Sequence, residues 1–315
     1  MRRRLEFWIR KAFNRMPPFV LMYHRVHDAE LDPWNLSVSP GFFAEQIAVL
    51  SGGYRPVTLS QVAGGEAPDR SVAVTFDDGY VDVLENAKPV LERHDCPATV
   101  FIPTGLLGQK RDFWWDELAR MVFEATSVPS VLVWTTGGYC ASLKVDGAAQ
   151  WDRDALHRAL WEKLLPLGHE TRQACLDQLA VQLHVANGGL PENRSMTHAE
   201  VKALSSDLIE IGSHTVTHPA LPCLAREGKR WEVVESRRAC AEIVGKLPDS
   251  FAYPNGQYDA DSLQAVRNAG FSNACTVRAA PVTPGSARLE LPRIHVRNWN
   301  GEEFARRLFR HFIDP

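Results

Sequence analysis

Residues 71–80 read S-V-A-V-T-F-D-D-G-Y, an apolar run typical of a buried strand that ends abruptly at two carboxylates and a glycine. Adjacent carboxylates at the end of such a strand are costly to desolvate unless a cation or hydrogen bonds compensate them. One interpretation is that one of Asp77 and Asp78 binds a metal while its neighbour acts as a base. The other is a turn with solvated acids, because Asp and Gly are common turn residues. This run alone leaves both interpretations open.

Outward from this run, short strand-like segments alternate with helical patterns, which favours an α/β fold with largely parallel strands. Further strands are predicted at residues 98–102, 208–212, 250–253 and 273–277. Side chains that follow parallel strands meet on one face, where α/β sheets and barrels usually carry their sites. Between residues 105 and 195 the alternation of single strands and helices is interrupted, and a hairpin is predicted among helices. We interpret this region as an insertion on the same face as the site.

Residues 213–219, S-H-T-V-T-H-P, follow the predicted strand at 208–212. His214 and His218 are spaced i and i+4, which on a helical turn places both imidazoles where they can bind one ion. With one carboxylate they would form a site with two His and one Asp ligand, open to water and substrate. An isolated pair of this kind is weak evidence, but two such motifs at strand ends strongly indicate a metal site. The ligands suit zinc, cobalt, nickel, iron or manganese, with zinc as the default.

Composition narrows the classes of function. The formal net charge of the 315 residues is −3, so we expect no general affinity for nucleic acid. The six cysteines are scattered without a C-x-x-C pair, which indicates small buried hydrophobes and no disulfide framework. No stretch reaches the roughly 18 apolar residues that span a bilayer, and no signal-peptide core follows the basic N-terminus. We therefore expect a cytoplasmic protein, or one peripheral at the inner membrane surface.

Residues 1–16 predict an amphipathic helix, because apolar residues recur at helical spacing while arginines and a lysine fill the other face. Such a helix can lie on an anionic membrane surface. Its apolar stripe can instead pack on the core of the protein itself, as in most amphipathic helices, and we favour this second interpretation.

The motifs T-F-D-D-G-Y and S-H-T-V-T-H-P together resemble those of the polysaccharide deacetylase (NodB-homology) family of carbohydrate esterases. The resemblance covers residues 19–104 and 196–296, and it implies a distorted (β/α) barrel. By this resemblance Asp77 matches the catalytic base, while Asp78, His214 and His218 match the metal ligands. The resulting division of the chain has four parts: the helix 1–16, a discontinuous barrel at 17–104 and 196–300, the insertion 105–195 with mixed structure, and a C-terminal helix at 301–315.

The implied chemistry is hydrolysis of an acetamide. A divalent ion lowers the pKa of a bound water and polarises the carbonyl, Asp77 takes the proton of the water, and the oxyanion needs the ion and a backbone N–H. Residues 251–256, F-A-Y-P-N-G, resemble a third family motif that usually reads Arg-x-Pro-Tyr. Ala252 stands where that Arg would be, and Asn255 where the Tyr would be. The N–H of Asn255 can still serve the oxyanion, and Arg293 is our candidate to orient Asp77.

The leaving amine needs a proton from a general acid, and two histidines compete for this role. His24, in residues 21–26 (L-M-Y-H-R-V), resembles an N-terminal motif in a branch of the family that deacetylates β-linked N-acetylglucosamine polymers. His295 lies near the position of the acid in the commoner family order, but it lacks the usual Leu-x-x-His pattern. We favour His24 as the acid and keep His295 as the alternative.

Aromatic residues near the motifs are candidates for sugar binding. Trp114 and Trp115 in the insertion could stack on a pyranose ring, and Tyr80 is a weaker candidate. The interpretation that we prefer is that the tryptophans anchor their helix, because large aromatics usually contribute burial first.

These patterns predict a metal-dependent hydrolase that removes N-acetyl groups from amino sugars in an oligosaccharide, a polysaccharide or a glycolipid precursor. One alternative is a sugar O-acetyl esterase or another amide hydrolase with the same site, because the same groups attack either carbonyl. Another is an inactive carbohydrate-binding homologue. The combination of Asp77 with Asp78, His214 and His218 argues against the latter, because a binding module needs no base beside a metal.

Overall fold

The computed structural model describes residues 16–136, 138–145, 152–186 and 188–313, with no side chains described for 311–313. The helix predicted at residues 1–16 lies outside the described residues except for Met16, which is buried against the core. Its membrane contact therefore stays a prediction. In the described part of the chain, no helix is long and apolar enough to cross a membrane.

The strands of the described residues fall into a large parallel sheet and two small pairs. They are β1 (Phe19–Tyr23), β2 (Arg25–Val26), β3 (Ser37–Val38), β4 (Arg55–Pro56), β5 (Ser71–Phe76), β6 (Ala98–Ile102), β7 (Val131–Thr136), β8 (Tyr139–Lys144), β9 (Ile209–Ser213), β10 (Ser250–Ala252), β11 (Asn273–Cys275) and β12 (Ile294–His295). The large sheet has the order β11-β10-β9-β6-β5-β1-β12, with β4 beside β5. The small sheets are β2–β3 and the antiparallel hairpin β7–β8.

One short segment near the C-terminus joins the two edges of the large sheet. Leu291 forms a parallel bridge with Cys275 of β11, and its carbonyl accepts the N–H of Thr276 at 2.8 Å. A few residues later β12 pairs with β1, and the N–H of Val296 donates to the carbonyl of Met22 at 3.0 Å. The sheet is thereby curled into a distorted barrel, which confirms the predicted (β/α) architecture.

Helices cover the outside of the barrel, and their starts follow the sequence. Thr58 and Thr197 each accept an N–H three residues on, while Gln61 and Glu200 complete the two capping boxes. The helices are α1 (Pro40–Gly53), α2 (Leu59–Gly64), α3 (Lys88–Arg93, after a π-helical turn Val83–Ala87), α4 (Trp114–Glu124), α5 (Arg153–Leu164), α6 (His169–Leu183), α7 (His198–Leu204), α8 (Arg226–Val244), α9 (Ala260–Ala269) and α10 (Gly301–Ile313).

The insertion between β6 and β9 packs around a hydrophobic cluster of its own. This cluster is built from α4, α5, α6 and the hairpin β7–β8, with Trp134 among its fully buried side chains. The insertion is tied to the barrel by Ser195, which forms an isolated antiparallel bridge with Tyr80. The predicted hairpin is confirmed, and the insertion lies beside the ends of the strands that carry the motifs.

The cysteines form no disulfides, as predicted. Four of them are buried and behave as small hydrophobes. Cys140 and Cys223 are exposed, so the expectation that all six are buried was wrong for these two. The physical reason is their position: Cys140 lies on the hairpin strand β8, and Cys223 lies in a short turn after residue 220.

Substitution of Gly212 tests the close packing inside the barrel. A Cβ at this position of β9 would lie 2.5 Å from the ring of Phe101, which is fully buried and packed in the core. We expect Gly212→Ala to lower the free energy of unfolding by about 1–3 kcal/mol, measured by urea denaturation. The control is Gly41→Ala in α1, where an added Cβ meets nothing within 4 Å. This substitution should raise the free energy of unfolding. Equal stability of the two variants would contradict this description of the barrel.

Candidate metal centre and active site

Both carboxylates of the D-D-G motif are buried at the end of β5. Asp77 continues the strand, and its N–H donates to the carbonyl of Tyr23 at 3.0 Å. Asp78 turns the chain with a φ of 72°, followed by Gly79 at 71°. A positive φ is uncommon for a residue other than glycine and persists where the surrounding structure holds it. Because both side chains are buried, the interpretation as a turn with solvated acids is wrong.

The two histidines of the second motif meet Asp78. Nε2 of His214 lies 3.5 Å from Oδ1 of Asp78, and Nε2 of His218 lies 3.3 Å from the same oxygen. The ligand atoms of the three residues all lie within 4.8 Å of one another, and all three side chains are buried. Nδ1 of His214 contacts the carbonyl of Ala252 at 2.7 Å, which leaves Nε2 facing Asp78.

These distances fit a metal better than direct hydrogen bonds. Normal hydrogen bonds are about 2.7–3.2 Å long. Ligands at about 2.0–2.2 Å from a tetrahedral ion lie roughly 3.4 Å apart, close to the two distances observed. Oδ1 of Asp78 is buried and has no hydrogen-bond partner among the described residues. Although burial favours its neutral form, the imidazoles of His214 and His218 hold the pKa of Asp78 well below its usual range. The site thus offers a charged carboxylate and two imidazoles to a divalent ion.

The loop between the histidines differs from the prediction. We expected a helical turn, but residues 214–218 form an irregular loop in which Thr215 and His218 have positive φ. The carboxylate of Glu232 on α8 holds this loop, since it accepts the N–H groups of Val216 and Thr217 at 2.7 and 3.0 Å. Sequence reasoning missed Glu232, because it lies in an ordinary amphipathic helix with no motif around it.

Arg293 forms a buried ion pair with Asp77. Its Nη1 and Nη2 donate to Oδ1 and Oδ2 of Asp77, both at 2.7 Å. Its Nε donates to the carbonyl of Thr276 at 2.9 Å, and Nη1 also reaches Oγ1 of Thr75 at 3.1 Å. Burial alone would raise the pKa of Asp77, but the guanidinium of Arg293 lowers it below its ordinary value. Arg293 therefore binds both carboxylate oxygens of Asp77, and its role as a replacement for the motif arginine stays a prediction.

The two candidate acids face the same cavity, which has a volume of about 260 Å³. Because β12 pairs with β1, the rings of His24 and His295 come to 5.4 Å from each other. Burial lowers the pKa of His24, and burial with the neighbouring His24 lowers that of His295 to about 3. The cavity is lined by Met22, His24, Trp34, Leu36, Asp77, Asp78, Trp115, Trp161, His214, His218, Asn255, Val277 and His295.

The remaining predicted residues divide between the cavity and the core. Asn255 lines the cavity with a φ of 54° in the turn after β10. Trp115 also lines it, with its ring 4.6 Å from that of His218. Tyr80 and Trp114 are buried and do not line this cavity. Trp34 and Trp161 do line it, and sequence reasoning missed both because neither belongs to a motif.

The fold is a (β/α) barrel with a buried cluster of two His and one Asp that could hold a metal ion, and comparison with known proteins identifies the family. Residues 64–129 and 180–274, more than half of the chain, match the family model for polysaccharide deacetylase. The chain therefore belongs to the polysaccharide deacetylase family.

Relatives with reviewed descriptions match the chain over about a third of its length. It is 34% identical over 116 residues to the poly-β-1,6-N-acetyl-D-glucosamine N-deacetylase of Escherichia coli K12, covering 34% of this chain and 17% of that protein. It is 36% identical over 117 residues to the protein of the same description from Staphylococcus aureus MSSA476, covering 32% of this chain and 40% of that protein. The chain thus spans less than half the length of these relatives.

Solved structures share the fold over nearly the whole chain. IcaB from Ammonifex degensii superposes with a TM-score of 0.60 at 20% identity, covering 94% of this chain and 97% of that one. The Streptococcus pyogenes deacetylase PplD, solved with acetate, gives 0.57 at 18% identity, covering 93% and 98%. At these identities the likeness shows the common fold.

Substitution of one histidine tests the metal centre. We expect the protein to bind one divalent ion per chain, and His218→Ala to weaken zinc affinity by more than about 100-fold, beyond the loss typical of removing an outer-shell partner. The measurement is a competition titration against a chromophoric chelator. Exposed His198 supplies the control, and His198→Ala should bind as tightly as the unchanged protein. Equal zinc affinity of the two variants would rule out the proposed ligand set.

The ion pair between Arg293 and Asp77 is testable by a double-mutant cycle. Arg293→Met leaves the carboxylate of Asp77 buried and unpaired, which should cost about 3–5 kcal/mol of unfolding free energy. In the double variant with Asp77→Asn neither charge of this pair remains, so the combined loss should be smaller than the sum by at least about 1 kcal/mol. Urea unfolding of the four proteins measures this coupling, and strict additivity would contradict the paired geometry.

Proposed function

We propose that the protein is a metal-dependent deacetylase that hydrolyses the N-acetyl groups of amino sugars, in an oligosaccharide, a polysaccharide or a glycolipid precursor. The observation that carries this proposal is the arrangement of a carboxylate paired with Arg293 beside the cluster of Asp78, His214 and His218. The relatives described as N-acetylglucosamine polymer deacetylases support the choice of substrate.

Asp78, His214 and His218 would hold the ion, and zinc is the default for these ligands. Such an ion supplies Lewis-acid chemistry, since it lowers the pKa of a water and polarises an acetamide carbonyl. Asp77 acts as the base that accepts the proton of the attacking water. Arg293 binds both of its oxygens and so fixes the carboxylate plane, while the second lone pair of each oxygen stays available.

Other residues of the cavity would handle the oxyanion and the leaving group. The backbone N–H of Asn255 is proposed to donate to the developing oxyanion. His24 is proposed as the acid that protonates the leaving amine, with His295 as the alternative. Burial lowers the pKa of both rings, so the choice of His24 rests on its motif at residues 21–26.

Two alternatives use the same residues. A sugar O-acetyl esterase would need the same base and ion, and the choice between ester and amide is decided by substrates. An inactive carbohydrate-binding homologue is disfavoured, because a buried pair of base and guanidinium is costly to retain without chemistry. The cytoplasmic or membrane-surface location stays a prediction from the sequence.

Acetate release tests the proposed reaction. We expect the protein to release acetate from N-acetylglucosamine oligomers or from lipid-extracted glycoconjugates, to lose this activity on chelation, and to regain it with zinc or cobalt. Asp77→Asn should lower kcat by at least about 100-fold, because general bases typically contribute 10²–10⁴-fold. No release under any metal, despite one tightly bound ion per chain, would exclude this substrate class.

The choice between the two acids is testable with an activated ester. A phenolate leaves without a proton, so an acid variant should still cleave 4-nitrophenyl acetate while it fails on an N-acetyl amide. We expect His24→Gln to lose about 100-fold or more on the amide and to keep its activity on the ester. His295→Gln should retain both activities. If His295→Gln showed the selective loss instead, the role of acid would pass to His295.

A further inference from the structure

Tryptophans from two separate segments form one side of the cavity, and the proposed chemistry uses none of them. Trp34 lies in the loop between β2 and β3, while Trp161 lies on α5 of the insertion. Their ring centroids are 4.5 Å apart, so the loop and the insertion meet at the cavity. We call Trp34 and Trp161, together with Trp115 of α4, the tryptophan wall.

Contacts behind the tryptophan wall hold it in place. Trp161 stacks on Trp114 with ring centroids 4.4 Å apart, and the guanidinium of buried Arg172 lies 4.5 Å from the Trp114 ring. Nε1 of Trp115 donates to the hydroxyl of Tyr80 at 2.7 Å, and that hydroxyl donates to Asp116, also at 2.7 Å. Trp161 and Trp115 therefore cannot swing aside without breaking buried contacts.

The barrel supplies the other sides of the cavity. His24 follows β1 and His295 lies on β12, while Asn255 and Val277 follow β10 and β11. The volume of about 260 Å³ lies below the roughly 300–1,000 Å³ of pockets that bury drug-sized ligands. This space suits one sugar ring with its acetyl group. An internal unit of a polymer would also need room for a neighbouring ring on each side.

We infer that the site takes a single N-acetylated hexosamine, either free or as the terminal unit of a chain, with one face of its ring against Trp34 and Trp161. This inference rests on the proposed function and narrows its substrate to one reacting unit per chain. The apolar C–H face of a sugar packs well on an indole. Nε1 of Trp34 is buried and lacks a hydrogen-bond partner within the described residues, so it offers a donor to a sugar hydroxyl.

Counting acetate per chain tests this inference. The unchanged protein should release one acetate per molecule from N-acetylglucosamine oligomers of two, four and six sugars alike. Trp34→Ala and Trp161→Ala open the wall, so they should release more than one acetate from the longer oligomers. Their kcat/KM for the single sugar should fall roughly tenfold. Trp231→Ala, at a tryptophan that is 52% exposed on α8, is the control and should behave as the unchanged protein.

Two results would overturn the inference: acetate released in proportion to oligomer length by the unchanged protein, or wall variants that match Trp231→Ala. Trp161→Phe keeps an aromatic face and should restore the limit of one acetate, which separates loss of the wall from misfolding.

A binding measurement keeps this inference separate from the proposed function. Asp77→Asn is titrated with the single sugar and with the hexamer, and tryptophan fluorescence is recorded. Similar affinities for the single sugar and the hexamer support a single bound unit, even if no acetate is ever released. Adding Trp34→Ala to this variant should abolish the binding of both sugars. Hexamer binding more than tenfold tighter, or no fluorescence response to either sugar, contradicts it.

Discussion

The structure depends on the buried ion pair that joins Arg293 to Asp77. Arg293 lies between the bridge of Leu291 to β11 and the pairing of β12 with β1, which together close the barrel. Asp77 directly follows the strand β5. The pair thus links the closure of the barrel to the position of the proposed base. Buried ion pairs rarely add stability over apolar packing, because desolvation offsets the attraction. The pair of Arg293 and Asp77 instead fixes geometry, because two parallel hydrogen bonds hold the carboxylate in a single orientation.

The candidate metal centre follows from the same arrangement of strands. Parallel strands end at a common edge, so the residues after β5 and β9 meet even though they are far apart in the chain. Asp78 reaches the cluster through a left-handed backbone, and His214 is oriented by a carbonyl at the end of β10. The ends of β5, β9 and β10 therefore each contribute one part of the site, directly or by orienting a candidate ligand.

Much of this arrangement was predictable from local sequence. The runs at 71–80 and 213–219 each join a strand pattern to side chains that bind metals, so their meeting followed from the parallel fold. Arg293 was predictable only because the third motif lacks its arginine, which required a replacement from elsewhere. The helical turn expected between His214 and His218 was wrong, because Glu232 on a distant helix stabilises an irregular loop instead. Trp34 and Trp161 had no signal, since their approach depends on how the insertion folds onto the barrel.

The proposed function requires that one ion, held by Asp78, His214 and His218, makes the cavity an amide hydrolase. The most direct measurement is a stoichiometric titration of metal-free protein with cobalt, in which acetate release from N-acetylglucosamine and the cobalt absorption spectrum are recorded together. We expect the rate of acetate release to rise linearly with the cobalt absorption and to level off at one ion per chain. Full activity before any cobalt is added, or a filled site that releases no acetate, would contradict it.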